Sequence, residues 1–170
     1  MLTLVIGGAG SGKSAFAEAL VQKLPGRRVY LATMSCSDEE SRARILRHRR
    51  QRAGGGFETV ERCTGVGQAP VPEGANVLLE DLSNLLANEL YSPEGGGAEA
   101  VLRGLAELGG RALNLTVVTN EVFSGGSDYG EESLRYLLRL AELNRHLAAG
   151  ADLVVEVVCG LPNVLKGELP

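Results

Sequence analysis

The chain has 170 residues, 44% apolar and 22% charged, with a formal net charge of −4. That length and apolar share suit one domain, spanning 1–170, around one core, and the mild acidity argues against general nucleic-acid binding. No apolar run approaches the length of a bilayer span, and the first apolar stretch starts at Leu2 with no room for a signal peptide, so a cytoplasmic protein is expected.

In chain order, Leu2 to Ile6 is a short apolar run with β propensity, and Ala15 to Val21 has helical periodicity. Between them, Gly7-Gly8-Ala9-Gly10-Ser11-Gly12-Lys13-Ser14 satisfies every required position of the G-x-x-x-x-G-K-[ST] phosphate-loop pattern. The glycines let backbone N–H groups turn inward around phosphate, Lys13 supplies a charge for the β- and γ-phosphates, and the Ser14 hydroxyl suits Mg²⁺. The strand before and helix after place the loop at a helix N-terminus, where an anion is favoured; a chance glycine turn lacks that context. Pro25-Gly26 marks a turn, and Val29 to Thr33 reads as a second buried strand. Ser37-Asp38-Glu39-Glu40 resembles a capping box that opens a helix to about Arg50, which Gly54-Gly55-Gly56 ends. Phe57 to Val60 is a short strand candidate, Gly65 to Gly74 a loop, and Asn76 to Glu80 a buried strand. Helices are expected over Ser83–Leu90, Ala98–Leu108 and Glu131–Ala149, and strands over Leu115–Thr119 and Leu153–Val158. Near-continuous apolar strands alternating with helices predict an α/β protein with a parallel sheet covered on both faces.

In such sheets ligands bind beyond the carboxyl ends of the strands. Glu80 and Asp81 follow one strand there and form an acidic pair able to hold Mg²⁺ directly or through water, although Asp81 equally suits a helix N-cap. Asn120 and Glu121 follow another strand and either orient substrate or metal or satisfy loop amides. Six arginines surround His48 between Arg42 and Arg52, and Arg44, His48 and Arg52 fall four apart on one helical stripe. An imidazole between two guanidiniums is kept neutral and nucleophilic and suits a polyphosphate; a merely solvated basic helix is the alternative. His146 has no such setting and reads as structural. Cys36, Cys63 and Cys159 have no C-x-x-C spacing and no zinc-site partner, so they are expected to be reduced packing residues.

Taken together, these motifs resemble the bifunctional adenosylcobinamide kinase / adenosylcobinamide-phosphate guanylyltransferase family. The resemblance rests on the stretch from Ile6 to Glu18, on Tyr30 to Thr33, on Arg44 to Arg52 with Thr59-Val60-Glu61 following, on Leu78 to Leu82 with Ser83 to Leu86, on Val118-Thr119-Asn120-Glu121-Val122, and on Gly160-Leu161-Pro162 with Leu165-Lys166. It implies a three-layer P-loop NTPase fold of RecA-like type, with a mostly parallel central sheet. It also implies phosphorylation of adenosylcobinamide by ATP or GTP, then transfer of GMP from GTP to the cobinamide phosphate. By the same resemblance, His48 would carry the guanylyl group, Mg²⁺ would be required, residues 7–14 with Arg44, Arg52, Glu61 and Glu80 would bind nucleotide, and the protein would be a homo-oligomer, a trimer. The chain departs from the family pattern between Phe123 and Arg145. Two other readings share the phosphate loop: a monofunctional small-molecule kinase and a regulatory nucleotide-binding protein.

Overall fold

The computed structural model describes residues 1–34, 55–123 and 129–170. The arginine-rich stretch with Arg44, His48 and Arg52, the expected 37–50 helix and Cys36 lie outside these residues.

Seven strands form one sheet: β1 (Leu2–Gly7), β2 (Arg28–Ala32), β3 (Phe57–Glu61), β4 (Asn76–Glu80), β5 (Asn114–Asn120), β6 (Leu153–Val158) and β7 (Leu161–Lys166), in the spatial order β3-β2-β4-β5-β1-β6-β7. All neighbours are parallel except β6 and β7, which form an antiparallel hairpin. The helices among the described residues are α1 (Lys13–Gln22), α2 (Leu82–Tyr91), α3 (Gly97–Arg111) and α4 (Glu131–Gly150), with a 3₁₀ turn at Val66–Gln68.

Strand alternation sorts the apolar side chains into two layers, because successive residues of a strand point to opposite faces. Leu4, Val29, Leu31, Val77, Leu79, Leu115, Val117 and Val154 join the core formed with α2, α3 and α4. Val5, Tyr30, Leu78, Val118, Val155 and Val157 meet Ala17, Leu20 and Val21 of α1 on the other face. The sheet is therefore covered on both sides, as a parallel sheet must be. Tyr30 and Phe57 meet edge to face, their ring centroids 6.2 Å apart, where β2 joins the edge strand β3.

Three expectations need correction. The α3 helix does not stop at Leu108 but runs through Gly109 and Gly110 to Arg111, because the Arg111 guanidinium donates to the carbonyls of Gly67, Ala69 and Val71 and anchors the last turn. The sheet gains β7 from Leu161–Lys166, a stretch whose Pro162 argues against a central strand but is tolerated at an edge. Cys159 is not a packing residue: it is exposed in the β6–β7 turn at φ 50°. Cys63 is half-buried, and its thiol donates to the Met34 carbonyl at 3.5 Å.

Candidate active site

The phosphate loop joins β1 to α1 at the carboxyl edge of the sheet. Gly12, at φ 89°, caps α1 in the left-handed region that glycine adopts without strain. A side chain at Gly7 has no room, since a Cβ there would stand 2.5 Å from the Ser11 hydroxyl and 2.7 Å from the Val157 carbonyl. At Gly8 the same atom would enter open space. The Ser11 hydroxyl is buried with no hydrogen-bond partner among the described residues. The loop is buttressed from the hairpin, where the Gly160 N–H donates to the Ser11 carbonyl at 2.8 Å. Lys13 is buried, and its ammonium donates to the Gly8 carbonyl at 3.3 Å, folded back across the loop that it helps to shape.

One strand, β5, separates β1 from β4, so the acidic pair at the end of β4 stands about 10 Å from the phosphate-loop strand. Side chains close that gap: the Ser14 hydroxyl on the first turn of α1 donates to a Glu80 carboxylate oxygen. Two oxygen donors thus meet beside the loop, a set suited to a hard cation such as Mg²⁺ that also takes phosphate oxygens. No cluster of three or more His, Cys, Asp or Glu side chains able to hold a metal occurs among the described residues.

Asp81 is the N-cap of α2: one carboxylate oxygen accepts from the Asn84 N–H at 2.8 Å, and the other faces the Asn120 amide at 3.4 Å. Burial raises the Asp81 carboxyl above its ordinary range, opposed by the Asn84 N–H, the Lys13 charge and Asn120. Asn120 also donates to the Ser83 hydroxyl at 2.9 Å. Glu121 accepts the Phe123 N–H at 2.9 Å, so the Asn120–Glu121 pair divides: Asn120 braces the acidic end of β4, and Glu121 satisfies a loop amide.

Two residues that sequence reasoning passed over hold this edge together. Thr33, fully buried, donates its hydroxyl to the Asp81 carbonyl at 2.7 Å and its N–H to the Glu80 carbonyl at 3.0 Å, while its own carbonyl accepts from Asn88. Asn144 of α4 accepts from the Thr119 hydroxyl at 2.8 Å and reaches the Asn120 carbonyl. At Thr33 a polar residue directly after an apolar strand was the available signal; Asn144 lies within α4 and carried none of that kind.

Glu61 ends β3 at the same sheet edge, but β2, β4 and β5 lie between β3 and β1, about 19 Å in all. It lines a separate polar cavity of about 640 Å³ with Arg62, Thr64, Gln68 and Glu89. His146 lies far from this edge: exposed near the end of α4, it borders an apolar hollow with Met1, Leu2 and Asp152 at the opposite end of the strands.

A strand, glycine loop and helix with a buried lysine, faced by an acidic strand end across one intervening strand, define a phosphate-loop nucleotide-binding protein. The family model described as cobinamide kinase / cobinamide phosphate guanyltransferase matches residues 3–165, and the chain belongs to that family. It is 34% identical over 175 residues to the bifunctional adenosylcobalamin biosynthesis protein CobP of Pseudomonas aeruginosa, covering 99% of both chains. It is 31% identical to the bifunctional adenosylcobalamin biosynthesis protein CobU of Escherichia coli and 32% identical to that of Salmonella typhimurium, covering 98% of this chain and 100% of each relative. Among solved structures, the P4 protein from bacteriophage phi6 in complex with ADP aligns over 96% of this chain and 52% of its own at 13% identity and a TM-score of 0.39. No helix among the described residues is long and apolar enough to cross a membrane.

Proposed function

We propose that this protein, as a single domain, phosphorylates the aminopropanol hydroxyl of adenosylcobinamide with ATP or GTP, and then transfers GMP from GTP to the cobinamide phosphate to give adenosylcobinamide-GDP. The observation that carries this reading is the phosphate loop closed against Glu80 by Ser14, in a chain of the cobinamide kinase family.

In both reactions the amides of residues 7–14 and the Lys13 ammonium hold the triphosphate and offset its charge, which is most of what phosphoryl transfer asks of a protein. Ser14 and Glu80 would hold Mg²⁺, with Asp81 reaching it through water, and the ion when bound neutralises charge on the phosphate oxygens. In the second reaction the neutral His48 imidazole attacks the α-phosphorus of GTP: an N–P bond forms, the P–O bond to pyrophosphate breaks, and pyrophosphate leaves. A phosphate oxygen of cobinamide phosphate then attacks the same phosphorus and the N–P bond breaks, which divides one hard displacement into two. Arg44 and Arg52 flank His48 by the helical spacing of the sequence and would share the charge that develops at phosphorus. Glu61, remote from the phosphate loop, is assigned to the nucleoside end of the bound nucleotide. The enzyme is assigned to the cytoplasm.

Incubation with α-labelled GTP tests this reading. Covalent label that survives denaturation, is lost in acid, is retained in alkali and is absent with γ-labelled GTP is the expected signature of a histidine phosphoramidate. His48→Ala should lose label and guanylyl transfer yet keep much of the kinase step, while Arg44→Ala and Arg52→Ala should label slowly. A wild-type protein that never labels but phosphorylates an alcohol is a monofunctional kinase. Self-association, a trimer by the family resemblance, fits β7, an edge strand whose Leu161 and Leu165 are 71% and 58% exposed, and light scattering in solution measures it directly.

A further inference from the structure

A second cleft, of about 410 Å³, opens between α2 and α4 and is lined by Ala87, Tyr91, Tyr129, Glu132, Ser133 and Tyr136, with Leu137 beneath. It holds three of the four tyrosines of the chain. Helical spacing builds it: Ala87 and Tyr91 are four apart on α2, and Glu132-Ser133 and Tyr136-Leu137 are four apart on the first turns of α4. Tyr91 is 54% exposed and Tyr129 41% exposed, so aromatic surface faces solvent without a partner among the described residues that would cover it. Glu132 and Ser133 add acceptors at the rim.

The cleft is joined to the phosphate-transfer edge by a continuous chain of hydrogen bonds. The Tyr136 hydroxyl donates to the Ser83 carbonyl at 3.0 Å, the Ser83 hydroxyl accepts from Asn120 at 2.9 Å, and Asn120 faces Asp81. Burial raises the Tyr136 phenol above its ordinary range, with the Asp81 charge acting in the same direction, so it stays a protonated donor. Because α2 begins one residue after Asp81 and rises about 1.5 Å per residue, Ala87 and Tyr91 stand roughly 9–15 Å along its axis from Asp81. A ligand with its body in the cleft therefore needs an arm to bring a hydroxyl to the phosphate loop.

We infer that this tyrosine-lined cleft seats part of the corrin ring of the acceptor, an inference that rests on the functional reading above. The acceptor has that shape: a flat, largely apolar macrocycle rimmed with primary amides, whose reacting hydroxyl sits on an amide-linked arm. Tyrosine faces pack on the ring edge, and the Glu132 carboxylate and Ser133 hydroxyl accept amide N–H groups. The volume takes one edge of the macrocycle rather than the whole of it. A nucleobase would also stack on tyrosine; the nucleoside end is assigned above to Glu61, at another strand end, and the nucleotide KM separates the two occupants.

The test is steady-state kinetics on the full chain with adenosylcobinamide and nucleotide varied separately, together with equilibrium dialysis of adenosylcobinamide read by its visible absorbance. Tyr91→Ala and Tyr129→Ala change exposed side chains, and melting curves check that they fold. Each should raise the Kd and KM for adenosylcobinamide by about tenfold, the size of one aromatic packing interaction, with the nucleotide KM and α-label uptake unchanged. Tyr91→Phe should stay near wild type, since the ring face is kept, and Glu132→Gln should weaken adenosylcobinamide alone. Folded alanine variants with wild-type adenosylcobinamide KM would overturn the cleft assignment while leaving the functional reading intact. An equal rise in nucleotide KM would hand the cleft to the nucleotide. A wild-type protein that labels with GTP but neither binds nor turns over adenosylcobinamide would overturn both.

Discussion

Ser14 and Glu80, 66 residues apart in the chain, meet hydroxyl to carboxylate beside the phosphate loop. This contact fixes the first turn of α1 against the end of β4 before any ligand arrives.

Glu80→Gln keeps the shape and a hydrogen bond to Ser14 but removes the charge. Turnover in saturating Mg²⁺ should fall by about 10²-fold or more, and the Mg²⁺ concentration needed for half activity should rise, while nucleotide binding without metal changes little. Metal titrations of both activities measure this, and an unchanged Mg²⁺ dependence assigns Glu80 to structure.

Lys13→Ala should leave the fold intact and reduce both activities by at least about 10²-fold, since the ammonium serves the phosphates in either reaction. Within the protein the substitution removes the 3.3 Å hydrogen bond to the Gly8 carbonyl, an acceptor that lies in the loop itself rather than in the core. Circular dichroism alongside separate kinase and guanylyltransferase assays tests the two halves of the statement.

Asp81 gives a pH dependence of defined sign. Its carboxyl is raised in the folded protein above the ordinary aspartate value of 3.8, so between 3.8 and the raised value the folded state holds more protons than the unfolded state. Stability from this group is therefore full below pH 3.8 and is lost as pH rises through the folded value. Asp81→Asn keeps an oxygen for the Asn84 N–H and removes that loss, so its denaturation midpoint should fall less over this interval than that of wild type. Asp81→Ala loses the cap as well and should cost about 1 kcal/mol.

Gly7→Ala and Gly8→Ala form a contrasting pair. At Gly7 the new methyl would stand 2.7 Å from the Val157 carbonyl, so the backbone must shift and both stability and nucleotide affinity should fall. At Gly8 it would meet nothing within 4 Å, so thermal stability should hold, while nucleotide affinity should drop if phosphate takes the proposed place in the loop. Thermal melts with and without nucleotide separate the two.

The strands were legible because buried parallel strands are written as short apolar runs: Asn76–Glu80 and Leu153–Val158 were read to the residue. The phosphate loop was legible because its residues follow a fixed local spacing, and Glu80 and Asp81 because they directly follow an apolar run. The choice between cap and metal ligand at Asp81 was not, since the same residue type before a helix serves both, and only the Asn84 N–H at 2.8 Å shows the cap. Thr33 and Asn144 were missed for a related reason. Their partners are backbone and side-chain atoms of strands far away in sequence, and no local pattern encodes a hydrogen bond from Asn144 to the end of β5. The edge strand β7 was hidden by its full exposure, which leaves it without the continuous apolar run that marks the buried strands.

Among the described strands, β1, which carries the phosphate loop, leaves the ribosome before the others, yet its neighbours in the sheet are β5 and β6. Until residues 114–120 and 153–158 have been synthesised, β1 has both edges bare, and the turn that supplies Gly160 to the loop comes later still. A growing chain therefore has no finished nucleotide cradle until the β6–β7 turn has been made, and holds an apolar strand in waiting, the circumstance in which parallel sheets fold slowly and recruit chaperones. Competence to bind a triphosphate arrives late, as a by-product of sheet order rather than as a property of the loop sequence.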